Sequence, residues 1–442
     1  MPHTSTSGWL PRALCVGTAA LLATPAAFAV ELYRDAETQV TGNFLAVSGL
    51  FNSRKNYDGT PGGSSWREGF IKYGLSVDRQ LGAFGSLYGT ANLVSSGTWG
   101  DGDASGLSDG SERRTRPDEA FAGWRSGDLL PALGKDGIDL SFGRQIVQIG
   151  NGFIINDDGL NFGNGIAGRE YNRGGAYYLA ARHAFDQTAV LRLGGKDGVH
   201  GSLMWLKSDN HAQADAEMAI GTLDYSAAPG TLGLTYIHGI SVAERYASAF
   251  QQQREGMNIY SLRGTGDAGV KNAHFGFEYA WQDKDAGPEQ AWYLEGGYTF
   301  AEAPWSPDIT YRYSRYSQHW DSMFNGFSTG YGTWFQGEVA ANYAGPFNSN
   351  TGIHHVALKV HPLENVTLGA LLFDYSTLRK GNALDLDGQE ADLYAEWAVS
   401  EHLIVTPLVG LYKPKKDERD GGNQVGGNGT NVYGQLTVAV PF

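Results

Sequence analysis

The chain has 442 residues and a formal net charge of -14, an acidic balance that argues against a nucleic-acid partner, which would need a basic stripe along a phosphate backbone. A single cysteine excludes a disulfide framework. Abundant Gly (62), Tyr (23) and Trp (11) accompany a hydrophobic fraction of only 41%, the composition of a chain that is polar inside and apolar outside, with aromatic girdles.

Arg12 opens the run ALCVGTAALLATPAAFA, which closes on the small-x-small triplet Ala27, Phe28, Ala29. This pattern predicts a signal peptide over residues 1–29, cleaved before Val30. The run is shorter than the ~20 residues a transmembrane helix needs. Cys15 lies within it, so residues 30–442 carry no cysteine. No Pro- or Ser-rich linker divides that remainder, which is expected to be one domain.

Period-two alternation then predicts strands at 38–51, 68–80, 84–97, 117–126, 137–146, 189–195, 199–207, 218–226 and 231–239. Further strands are predicted at 255–264, 272–283, 289–300, 306–317, 352–361, 365–377, 388–398, 402–412 and 431–442. The total is eighteen, an even number. Connections alternate between short turns, such as LGA (81–83), KDG (196–198) and PLE (362–364), and longer ones at 52–67, 98–116, 147–188, 240–254, 318–351 and 413–430. Two connections break the alternation, the short 284–288 and the longish 127–136. Short turns at one rim and long loops at the other predict an all-β transmembrane antiparallel barrel, its turns periplasmic and its long loops extracellular.

The last segment, NVYGQLTVAVPF, puts Val432, Leu436, Val438, Val440 and Phe442 on one face and Tyr433, Gln435 and Thr437 on the other. In 306–317, Ile309, Tyr311 and Tyr313 face one way, while Asp308, Thr310, Arg312 and Ser314 face the other. So dense an aromatic face suits lipid rather than water, which places the polar set in the lumen. Outer-membrane lipid and lipopolysaccharide are the partners this implies, in a Gram-negative bacterium.

Barrels of 16–18 strands leave an aqueous channel, so the expected function is passage of hydrophilic solutes past interior charges and inward-folded loops. Parity places Lys72, Arg192, Arg263, Arg312 and Lys359 inside as bases. It places Asp78, Asp139, Glu278, Glu295, Asp308, Asp392 and Glu396 inside as acids. Loops 147–188 and 318–351 are too long for idle crossings and too rich in Ile, Phe, Tyr and Trp for disorder. Folded inward, the first would bring Arg169, Arg173 and Arg182 to the solute.

Two motifs test other chemistries. Residues 101–112, DGDASGLSDGSE, fit a twelve-residue calcium loop, with Asp101, Asp103, Ser105, Asp109 and Glu112 at liganding positions. Strands rather than helices flank it, and a solvated outer loop uses the same residues. Gly163-x-Gly165-x-x-Gly168 lacks the βαβ unit of a dinucleotide site. Histidines at 200, 274, 354, 355 and 361 have no accompanying nucleophile motif, so no enzyme is expected, and no cofactor beyond calcium.

Gly143-Arg144-Gln145 closing a strand before a long loop resembles the alginate-export outer-membrane channels. Trp334-Phe335-Gln336-Gly337-Glu338, followed by Asn348-Ser349-Asn350, is similar to them too. That resemblance implies an eighteen-stranded barrel with an arginine-bearing pore for an anionic polysaccharide. The parity count departs from it, with seven interior acids against five bases. Substrate-specific porins of the porin D type share the strand number and compete with this reading; there the solute would be an amino acid or another small nutrient. A terminal Phe resembles bacterial outer-membrane barrels in general and implies recognition by the barrel-assembly machinery.

Overall fold

The computed structural model describes residues 29–166, 169–326, 336–345, 347–381 and 384–442. All but the last residue of the expected signal peptide lies outside them. In chain order the strands are β1 Ala29–Arg34, β2 Thr38–Ser53, β3 Ser64–Gln80, β4 Ser86–Gly100, β5 Arg113–Arg125, β6 Ile138–Gln145, β7 Phe185–Leu193, β8 Gly198–Lys207 and β9 Glu217–Ala227. They continue as β10 Gly230–Ser241, β11 Asn258–Gly266, β12 Ala273–Asp283, β13 Glu289–Thr299, β14 Asp308–Tyr316, β15 Thr351–Leu363, β16 Val366–Thr377, β17 Gly388–Ser400, β18 Leu403–Pro414 and β19 Asn431–Pro441.

Each strand from β2 to β19 pairs antiparallel with its chain neighbour, and β19 returns to β2 from Tyr433↔Ser53 to Pro441↔Leu45. Closure removes the open edges that a sheet cannot leave unpaired in lipid. The result is the eighteen-stranded barrel the alternation predicts. A nineteenth strand, β1, was not foreseen. It pairs with β2 from Ala29↔Asn43 to Arg34↔Gln39, beyond the point where β19 stops.

The barrel is inverted relative to a soluble protein. In β14, Asp308, Thr310, Arg312 and Ser314 are buried, while Ile309 and Tyr311 are each 46% exposed. In β12, Glu278 and Gln282 are buried and Phe275, Tyr279 and Trp281 exposed. β19 follows the same rule, with Tyr433, Gln435 and Thr437 buried and Leu436 and Phe442 outside.

One strand departs from simple parity. β5 begins at Arg113 rather than at residue 117, and Asn92↔Glu119 is followed by Leu93↔Pro117, leaving Asp118 as the extra residue of a β-bulge. Pro117 is tolerated there because a bulge needs no regular ladder bond. The bulge turns both Asp118 and Glu119 inward, and Arg114 and Arg116 above it face in as well, opposite Ser96 and Val94.

Candidate functional site in the barrel lumen

The connection between β6 and β7 folds into the barrel. Its apolar residues Val147, Phe153, Ile154, Ile155 and Leu179 are buried, which explains why a loop of this length is not a solvated crossing. Asn151 Nδ2 donates to Tyr293 Oη at 3.0 Å, and Phe153 packs on Tyr293 and Tyr316 with ring centroids 5.2 and 5.8 Å away. Those partners belong to β13 and β14. On a different stretch of wall, Leu179 N donates to Glu68 at 3.0 Å, Gln435 Nε2 donates to Tyr178 Oη at 2.8 Å, and Phe51 packs against Tyr178. The backbone of His183 and Ala184 donates to the bulged Asp118.

The connection between β14 and β15 also folds inward. Asp321 takes a bidentate pair from Arg254, at 2.8 and 2.9 Å, with both side chains buried. Ile155 and Phe324 form a parallel bridge, so the two long loops are knitted together. Val339 N and Ala340 N donate to the two oxygens of Glu390 on β17, at 2.7 and 2.8 Å. Tyr343 stacks near Tyr433, centroids 5.5 Å apart, and Tyr375 Oη donates to Gln336 O at 2.6 Å.

The inward bases sit among acids. Lys72 Nζ lies 2.5 Å from Asp118, Arg312 lies 3.5 Å from Glu295, and Arg263 donates to Asp224 and Thr235. Arg192 is 3.7 Å from Asp139, which Arg125 also approaches at 3.8 Å. Asp78 pairs with Arg125 at 3.0 Å. Asp308 accepts from Thr299 and stands across the ladder from Lys359, while Glu278 accepts from Ser261 at 2.5 Å. Glu396 is buried on the same wall, and Asp392 receives Glu338 N at 3.4 Å.

Arg169, Arg173 and Arg182 are not brought together on the solute path. Arg169 is exposed with left-handed backbone. Arg173 is buried against Asp158 and Asp209, at 3.0 and 3.3 Å, and Arg182 lies 2.9 Å from Asp209. Arg144 reaches the same Asp209 at 2.8 Å. Burial alone would raise the Asp209 carboxyl, but the three guanidiniums overcome it and hold it well below the usual range. This cluster clamps both ends of the loop to the connection after β8.

The calcium-like segment is folded on itself. Asp103 accepts from the backbone of Ser105, Leu107 and Ser108. Asp101 accepts from Ser65 N, Asp109 from Ser111, and Glu112 from Asp109 N and Asn164 N. Ser105 Oγ donates to Tyr343 O at 2.7 Å. The carboxylates thus serve separate backbone donors, and among the described residues no group of three His, Cys, Asp or Glu side chains is placed to hold a metal ion.

Sequence reasoning missed Asp118, Asp158, Asp209 and the pair Arg254–Asp321, and met Glu338 only as part of a family motif; all of them anchor loops. It also assigned Arg114 and Arg116 to a loop. Arg116 is exposed within the lumen and has no carboxylate at ion-pair distance among the described residues. A Pro inside an alternating run was the available signal for the bulge that re-aims them.

No protein-family model and no curated protein matches the chain. Solved structures do. A BenF-like porin from Pseudomonas fluorescens Pf-5 superposes with a TM-score of 0.57 at 9% identity, covering 91% of this chain and 98% of that one. Pseudomonas aeruginosa OccK11 (OpdR) gives 0.53 at 13% identity, covering 90% and 95%. OccD3 (OpdP) of the same organism gives 0.54 at 12% identity, covering 95% and 94%. The chain therefore has an outer-membrane porin fold. That likeness falls on the porin competitor and not on the alginate-export family suggested by the loop motifs, of which Trp334 and Phe335 lie outside the described residues.

Proposed function

We propose that the chain is a passive outer-membrane channel for small hydrophilic solutes, with a preference for anions such as small carboxylates or acidic sugars. The observation that carries this reading is a closed eighteen-stranded wall whose lumen is polar, charged and narrowed by two loops docked on inward-facing side chains. A barrel of this size would otherwise leave a wide aqueous hole, so the loops set the exclusion limit. The anion preference is supported by Arg114 and Arg116, which face inward while most other lumenal bases are held by acids.

The test is planar-bilayer recording. Wild type should give stepwise ohmic conductance, and deletion of residues 150–178 should raise it. Arg114→Gln with Arg116→Gln should move the reversal potential in a salt gradient toward cations. Absent conductance would overturn the channel, and an unmoved reversal potential would overturn the anion preference. A nutrient-uptake channel for amino acids is the second reading, which the porin fold fits equally well; uptake of labelled amino acids, uronates and neutral sugars separates the two.

A further inference from the structure

Two outward-facing arginines flank a single strand of the barrel. Arg67 on β3 and Arg113 on β5 share the outward parity of Ile71 and Thr115 and are exposed. Both stand at the long-loop rim, within a few residues of a strand end. Between them, on β4, lies Trp99, the direct cross-strand partner of Arg67, while Arg113 pairs with Gly97 two residues further along.

The arrangement is layered. Gly69 and Gly97 form a floor on adjacent strands; a Cβ on Gly97 would lie 3.2 Å from the indole Cη2, and one on Gly69 3.6 Å from Cζ3. The missing side chains let the indole lie along the wall. The Arg113 guanidinium then lies 4.0 Å from the indole centroid, fixed by donation to the carbonyls of Thr98 and Glu112. Further down this face, the Ser95 and Thr115 hydroxyls bond each other at 2.8 Å, and Ile71 and Leu93 present apolar surface, 44% and 40% exposed.

The nearby acids do not neutralise the pair. Glu112 is 1% exposed and turned inward to Asp109 N and Asn164 N. Asp101 is engaged by Ser65 N. A chain of net charge -14 thus offers lipid one cation over Trp99 and a second on the neighbouring strand, directly above apolar wall. Cations at this depth suit a phosphate whose acyl chains continue downward.

We propose that Arg67, Trp99 and Arg113 form a lipid-facing site for the phosphorylated glucosamine headgroup of lipid A in the outer leaflet. The site rests on the outer-membrane reading but not on the channel reading. Arg113 supplies a cation pre-oriented on the Trp99 ring, and Arg67 the second charge.

The test is lipid A retention by the detergent-solubilised full chain, read by native mass spectrometry with bisphosphorylated, monophosphorylated and dephosphorylated lipid A. Wild type should prefer the bisphosphorylated form. Arg67→Gln with Arg113→Gln should weaken it about tenfold, the loss of one or two charge-assisted bonds. Arg67→Lys with Arg113→Lys should retain part of the affinity, and Arg79→Gln at the opposite rim should change nothing. Equal binding of dephosphorylated lipid A, or unchanged binding by the double Gln variant, would overturn the site. Conductance recorded on the same samples tells this failure from failure of the channel reading.

Discussion

Arg254 and Asp321 show what a buried charge does in a loop. Their bidentate contact sits in the lumen with both side chains at or below 5% exposure. Removing one partner leaves the other uncompensated, a loss of about 3–5 kcal/mol. Arg254→Ala should therefore lower the denaturant midpoint measurably, with a smaller loss for the double change Arg254→Met, Asp321→Leu. At this scale the sequence was informative wherever a strand was regular. The inward placement of Lys72, Arg263, Arg312, Glu278 and Glu295 follows from period-two geometry alone. It failed at Asp118, because one extra residue flips parity, and at Arg173 and Arg182, because pairing with Asp209 depends on contacts far along the chain.

The segment around Ala340–Ala344 is held to the wall by an acidic seat. Burial pushes the Glu338 carboxyl from its ordinary 4.5 up to about 8, and the Glu390 charge adds to this. Glu390 and Asp392 face it from β17, with Tyr178 from the other loop and Tyr433 from β19. Docked, Glu338 keeps its proton to about pH 8; released into water it loses it near 4.5. Docking is thus at full strength below about 4.5 and weakens as pH climbs through about 8. Conductance should increase over that window, and Glu338→Gln should flatten the profile; a wild-type conductance independent of pH would contradict the seat. The existence of two functional loops was legible from their length and aromatic content. Where they dock was not, since a loop's partners are set by the wall it meets and not by its own period.

For the molecule as a whole, the solvent outside decides which substitutions are costly. Leu294, midway along β13, is 60% exposed on the outward face, and Leu294→Arg should destabilise the barrel by about 2–4 kcal/mol. Refolding into vesicles in urea measures this. The outward Arg67, at the rim, should tolerate Leu far better than Leu294 tolerates Arg. Strand number, closure and the inverted faces were all readable, because each strand repeats one binary rule. β1 was not, since its six residues are too few to show a period where they follow a long apolar run.

The ladder between β2 and β19 joins the two most distant parts of the sequence, and loop closure over such a span is entropically the slowest to form. Tyr178 and Leu179 lie across this join, touching Phe51 and Gln435 on its two sides and Glu68 one strand further. The loop that packs into the lumen is therefore also a clasp on the barrel's seam. On the proposed channel reading, loosening it would widen the passage and at the same time weaken resistance to lateral opening, which couples permeability to mechanical integrity.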